Sequence, residues 1–426
     1  MKVAFYESEI TPPLGGFMWG YYRQRYAEVV HDRLFARATL IEDKGNYAAF
    51  IVVDTCVIPR EMHAAVTERI EKYTGIKPHC VCISSNHSHT GAPVFDGPEV
   101  NAYADKAYVD VFYRICADTV ILCYNRLAKA EAKFAKTELR GYSYCRNSLY
   151  KSGKYLNSGK NDPAVIERPM TEPDYEVPIL FFEREGKPIG AIVSYALHQD
   201  TVGASVQGYS GDYSCILSKK LKEKFGKDFV TIFLIGTCGD INHIPPFEGM
   251  EIKKYKLIGE ALSEVVIKAY ETAEPSGDVI GAYKEKIKMP TRPFDVAKEN
   301  AEVARLMSNG GQMRARNLLF YISSNPPEYG ELYVQCLRIG DVMIACLPGE
   351  IYTTYGKQIK ANAPTKSVIV AENCNSYCGY IPSHDAFEEN SDLYESSLCY
   401  HSCYIPDAGD ILVERISEMS KFLFNR

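Results

Sequence analysis

The sequence predicts an α/β protein in which mixed β-sheets are flanked by helices, and three observations lead there. Short apolar runs rich in β-branched residues recur along the chain: YAAFIVVDTCVI (47–58), HCVCISS (79–85) and FVTIFLIG (229–236). Runs of this length and composition suit strands covered on both faces. Helix-like segments alternate with them, at 60–74, 103–130, 213–225, 253–273 and 408–424. Two further stretches, 177–198 and 330–347, each read as a pair of strands around a turn, at Glu185-Gly186-Lys187 and Ile339-Gly340-Asp341.

Within that order, 103–130 is expected to be one long amphipathic helix with Tyr108, Val111, Phe112, Ile115 and Val120 on its apolar side. Another helix should begin near Glu350. The stretches around 243–249 and 289–311 read as loops or insertions. The sequence shows no internal repeat, low-complexity tract or linker, so residues 1–426 are expected to form a single catalytic domain.

The charge balance, 48 Lys and Arg against 54 Asp and Glu, gives a net charge of -6. That offers no electrostatic reason to bind nucleic acid or an anionic membrane. No apolar run approaches the ~20 residues needed to cross a bilayer, so no integral membrane segment is expected. The N-terminus MKVAFYESEITPPLGG lacks a basic region followed by an apolar stretch and a cleavage site, which predicts no signal peptide and a cytoplasmic location. The 14 cysteines fall mostly in apolar runs, as expected for free thiols in a reducing compartment. Cys374, Cys378, Cys399, His401 and Cys403 cluster in sequence and are a candidate second metal site, although Cys-x3-Cys is looser than usual metal-knuckle spacing.

The chemistry-bearing residues stand at the ends of apolar strands, where sites gather in α/β sheets. His87 and His89, in Ser85-Asn86-His87-Ser88-His89-Thr90-Gly91, follow the strand 79–85. On extended backbone the two rings project to one side. Both could approach one metal, or one could bind it while the other moves protons. His198 ends the strand-like AIVSYALH, and Glu350 follows VMIAC through Leu347-Pro348-Gly349. Two histidines and one carboxylate, with a position left for water, form the usual zinc-hydrolase plan. The acids of Ser210-Gly211-Asp212 and Gly239-Asp240 could orient ligand histidines, but helix caps and turns account for them at least as well. His31, His63, His79, His243, His384 and His401 occur in unremarkable contexts.

Taken in order, these motifs resemble the neutral/alkaline non-lysosomal ceramidases in their N-terminal catalytic domain. Ile10-Thr11-Pro12-Pro13, His31-Asp32-Arg33-Leu34-Phe35-Ala36-Arg37, Asn86-His87-Ser88-His89-Thr90-Gly91, Arg146-Asn147-Ser148, Gly186-Lys187-Pro188 through His198, Ser210-Gly211-Asp212, Gly239-Asp240, Pro348-Gly349-Glu350, Tyr377-Cys378-Gly379-Tyr380 and Tyr394-Glu395 follow the family's order. The resemblance implies that His87, His198, Glu350 and Tyr380 bind Zn2+, with Tyr377 the alternative tyrosine. It implies that His89 is a general acid/base, and that Arg146 and Tyr394 hold the substrate and stabilise an oxyanion. Ile241-Asn242-His243 replaces the family's serine-containing segment, which leaves water as the nucleophile. The chain runs only a short way past the last motif, so the family's C-terminal β-domain is not expected.

The expected function is therefore a zinc-dependent hydrolase cleaving an amide or ester of a small soluble substrate, sugar-linked or N-acyl, with a homo-oligomer compatible with the sequence. True ceramidase activity is the first alternative. A metal-binding descendant without hydrolytic activity is the second.

Overall fold

The computed structural model describes residues 1–21, 23–97, 100–157 and 162–425. Three twisted sheets, each built to one plan, make up its centre. In the first, Lys2–Glu9, Phe35–Asp43 and Asn46–Val53 run antiparallel in that order; the helix Arg60–Thr74 then carries the chain to Val81–Ser85, parallel to Asn46–Val53. The second repeats this with Glu131–Glu138, Glu176–Arg184 and Lys187–Tyr195, the helix Asp212–Phe225 and the parallel strand Val230–Ile235. The third uses Ile280–Pro290, Tyr329–Ile339 and Val342–Cys346, the helix Thr353–Asn362 and the parallel strand Ser367–Ala371.

This threefold repeat corrects the expectation of none. The units share hydrogen-bond topology, which dictates where apolar residues and turns fall but not which residues they are. The hairpin turns show the local cause. Lys44-Gly45 and Glu185-Gly186 both take positive φ, as tight two-residue turns between twisted strands require. At the third turn only glycine fits, because a Cβ on Gly340 (φ 59) would lie 1.6 Å from the Ser276 carbonyl oxygen.

The inner faces of all three sheets meet in one apolar core, to which Phe50, Val52, Leu180, Ile192, Ile344 and Ile369 contribute. Each outer face is closed by a helix pair: Arg60–Thr74 with Lys106–Tyr124, Asp212–Phe225 with Tyr255–Tyr270, and Thr353–Asn362 with Ala408–Phe424. Burial on both faces is why the strands read as continuous apolar runs rather than alternating ones. Among the described residues no helix is long and apolar enough to cross a membrane.

Some element bounds differ from expectation. The long helix runs only over Lys106–Tyr124, capped by the Asp105 carboxylate on the Ala107 amide. Ala128–Lys129 beyond it pairs with Lys2–Val3 as an edge strand. Val111 is 51% exposed and lies off the buried face, which Phe112, Cys116, Val120 and Cys123 make instead. The segment 289–311 is not a loop: the strand Ile280–Pro290 extends into it and Val296–Ser308 is helical. That helix is amphipathic in sequence although Leu306 is its only buried residue, so a helical signal was present there that the expectation of a loop overlooked. The last loops tie the repeats together at the carboxyl ends of the parallel strands. The Ser85 amide donates to Asn373 O (3.2 Å), and the Glu372 amide donates to Ile235 O (3.0 Å).

Candidate active site

Each repeat delivers a donor to this junction. His87 leaves the strand Val81–Ser85 with φ 63, an uncommon conformation for a non-glycine residue and one that aims its ring into the junction. Its Nδ1 lies 2.8 Å from Cys56 O, so that nitrogen carries the proton and Nε2 presents a lone pair. His198 is held the same way, with Nδ1 3.2 Å from Cys238 O. Glu350 enters through Gly349 (φ 74), where a Cβ would meet Gly379 O at 2.3 Å.

The two Nε2 atoms are 3.0 Å apart, and Glu350 Oε2 lies 3.4 Å from His87 Nε2 and 3.3 Å from His198 Nε2. Donors at ~2.0–2.1 Å from a tetrahedral ion stand about 3.3 Å from one another. Two lone pairs aimed at each other, beside a buried carboxylate oxygen without a hydrogen-bond donor, make little sense without a cation between them. The residues therefore fit a divalent metal. Cys56 could be grouped with His87 and His89 instead. However, its Sγ approaches His87 Nδ1 (3.7 Å), on the ring edge away from His198.

The supporting contacts are specific. Tyr377 donates its hydroxyl to Glu350 Oε1 (2.8 Å), and Gln199 donates to the Asn86 carbonyl (2.7 Å). Asn86 in turn donates to Asp54 (2.9 Å), which is paired with Arg37 (2.9 Å). Asp212, also at positive φ, accepts the amides of Thr201 (2.9 Å) and Val202 (3.0 Å) and so fixes the segment after His198. Burial pushes its pKa up to about 6. Asp240 accepts the Thr353 amide (2.8 Å) at the start of a helix, the capping role its motif allowed.

Tyr377→Phe removes the hydrogen bond to Glu350 while keeping the ring. The expected result is a metal affinity weakened ~10–100-fold, read by chelator competition, with the thermal midpoint little changed. Unchanged affinity would remove Tyr377 from this role.

His89, buried, sits with Nε2 3.4 Å from His87 Nε2 and its ring edge-on to Tyr21. Burial lowers its pKa well below the ordinary range, and the neighbouring His87 and His198 lower it further, so it is neutral at pH 7. Opposite stands Arg146, paired through Nε with Glu395 Oε1 (2.8 Å) and lying 5.5 and 5.2 Å from the ring centres of Tyr380 and Tyr394. Tyr380 pairs with Glu350 through the backbone, and its hydroxyl is 3.4 Å from that of Tyr394. A cavity of about 230 Å³ is lined by all seven residues singled out in the sequence, and by Tyr377.

Sequence reasoning missed Trp19, Tyr21, Asp200 and Met313, which line the same cavity. It also passed over His243, 3.0 Å from Asp200, and His401, which faces Trp19 edge-on. Asp200 carried the one available clue, its place two residues after His198. The cysteine cluster is not assembled as its spacing suggested: Cys374 groups with Cys82 and Cys346 instead.

Two histidines and a glutamate at a small cavity, with a third histidine and an arginine facing them, define the class as a hydrolase of the metal-assisted type. The comparisons agree. Residues 5–305 match the family described as neutral/alkaline non-lysosomal ceramidase, N-terminal, and the chain belongs to that family. It is 26% identical over 260 residues to the neutral ceramidases of Drosophila pseudoobscura pseudoobscura and Drosophila melanogaster, a match covering 57% of this chain and 36% of each relative. The fold is that of the neutral ceramidase from Pseudomonas aeruginosa (TM-score 0.75, 15% identity, all of this chain and 74% of that one). It is equally that of a ceramidase complexed with C2 (TM-score 0.76, 17% identity, all of this chain and 75% of that one). Glu350, Tyr380 and Tyr394 lie beyond the family match, in a part that the structural likeness covers.

Proposed function

We propose that this protein hydrolyses the amide bond of an N-acylated amino alcohol of the ceramide type, with zinc held by His87, His198 and Glu350 and with Tyr380 beside them. The observation that carries this reading is the convergence of three metal-type donors, one from each repeat, at 3.0–3.4 Å. Family membership supports a ceramide-type substrate better than the small soluble one expected from the sequence. Zinc bound there would supply Lewis acidity, lowering the pKa of a water towards ~7 and polarising the scissile carbonyl.

The side chains do the rest. Neutral His89 takes the proton from the attacking water and returns it to the departing amine nitrogen. Arg146 and the Tyr394 hydroxyl donate to the carbonyl oxygen as it gains charge. A cavity of about 230 Å³ holds the amide and its neighbouring hydroxyls. The hydrocarbon chains would therefore lie outside it, past Trp19 and Met313.

The test is fatty-acid release by zinc-loaded protein from N-acylsphingosine in detergent micelles, compared with a soluble N-acetyl sugar. Turnover of the first is expected. Turnover of the sugar alone would restore the small-substrate reading, and metal binding without turnover of either would favour a non-hydrolytic descendant. His89→Gln is expected to lower kcat ~10²–10⁴-fold with zinc retained, by metal analysis and steady-state kinetics. Loss of the metal in that variant would make His89 a ligand instead.

A further inference from the structure

We propose a second metal site, for a thiophilic divalent cation, formed by Cys82, Cys346 and Cys374. Their three Sγ atoms lie within 4.8 Å of one another, and the residues are 1%, 0% and 0% exposed. Cys82 comes from the first sheet. Cys346 ends a strand of the third, and Cys374 follows the next strand of that sheet. The group sits in the core shared by the sheets, apart from the histidine site. Sulfurs bound at ~2.3 Å stand about 3.8 Å apart around a tetrahedral ion, and about 4.0 Å apart in a trigonal plane. The observed clustering accommodates either arrangement.

Lys284 is the independent observation. Its half-buried ammonium donates to Val81 O (2.8 Å) and Asn375 Oδ1 (3.1 Å) and touches His63 Nε2. Among the described residues no carboxylate forms an ion pair with it. Val81 precedes Cys82 and Asn375 follows Cys374, so these hydrogen bonds place the ammonium beside the cluster. Three thiolates, one divalent ion and one ammonium sum to zero charge, the state an apolar core tolerates. Loading releases the three thiol protons to solvent, and because the site is sealed it accompanies folding.

The test is expression in cobalt-supplemented medium, followed by metal analysis and near-ultraviolet absorption. Wild type is expected to hold about two cobalt ions per chain and to show a thiolate-to-cobalt charge-transfer band. His87→Ala with His198→Ala should keep about one ion and the whole band. Cys82→Ser with Cys346→Ser should lose one ion and the band. If the cysteine variant does not fold, the histidine variant still decides: folded protein without metal or band overturns the proposal. A band persisting in the folded cysteine variant overturns it too.

Discussion

Replacing His87 and His198 together by alanine is expected to remove one zinc per chain and abolish measurable amide hydrolysis. Two of the three donors vanish, and Glu350 alone is no match for water and chelators. The remaining carboxylate is buried, and burial alone would favour its neutral form. In the intact site the cation held between it and the two histidines would keep it ionised. Their loss lets Glu350 take up a proton and stop being a ligand. Elemental mass spectrometry and a fatty-acid release assay on the same samples check both halves. Retained zinc at the original stoichiometry would sink the ligand assignment. Lost zinc with retained turnover would sink the metal-assisted mechanism but leave the site.

The donors were legible because each one ends an apolar strand. His87, His198 and Glu350 follow runs that can only be buried strands, and the carboxyl ends of such strands are where side chains converge. What lies across the chain from them was not legible. Trp19 and Tyr21 belong to a segment with no periodic pattern, and only tertiary packing brings Tyr21 against His89 and Trp19 against Tyr377 and His401. Glu395 and Asn157, 238 positions apart, meet through a hydrogen bond of 2.8 Å that no local spacing announces. The resemblance singled out two tyrosines, and they stand differently: Tyr377 bonds Glu350, whereas the Tyr380 hydroxyl is near that of Tyr394, beside Arg146. The cysteine spacing misled for the converse reason. Cys374 and Cys378 are neighbours in sequence, yet the chain bends between them and Cys374 turns back to a strand almost three hundred residues earlier.

Arg146→Ala is expected to lower kcat ~10²–10³-fold, the usual cost of losing one preorganised donor to a developing oxyanion. It should also destabilise the protein by ~3–5 kcal/mol, because Glu395, fully buried, loses the guanidinium that compensates its charge. Asn157 still donates to Glu395 Oε2 (2.8 Å), but a neutral amide cannot balance a carboxylate. The two effects have different causes and should separate. Arg146→Ala combined with Glu395→Gln removes the orphaned charge, so most of the thermal stability should return while kcat stays low. Thermal midpoints and kcat on wild type, single and double variants give the answer. Recovery of kcat along with stability would make Arg146 a structural ion-pair partner only, and the charge on the carbonyl oxygen would then have to be met by the Tyr394 hydroxyl and the metal.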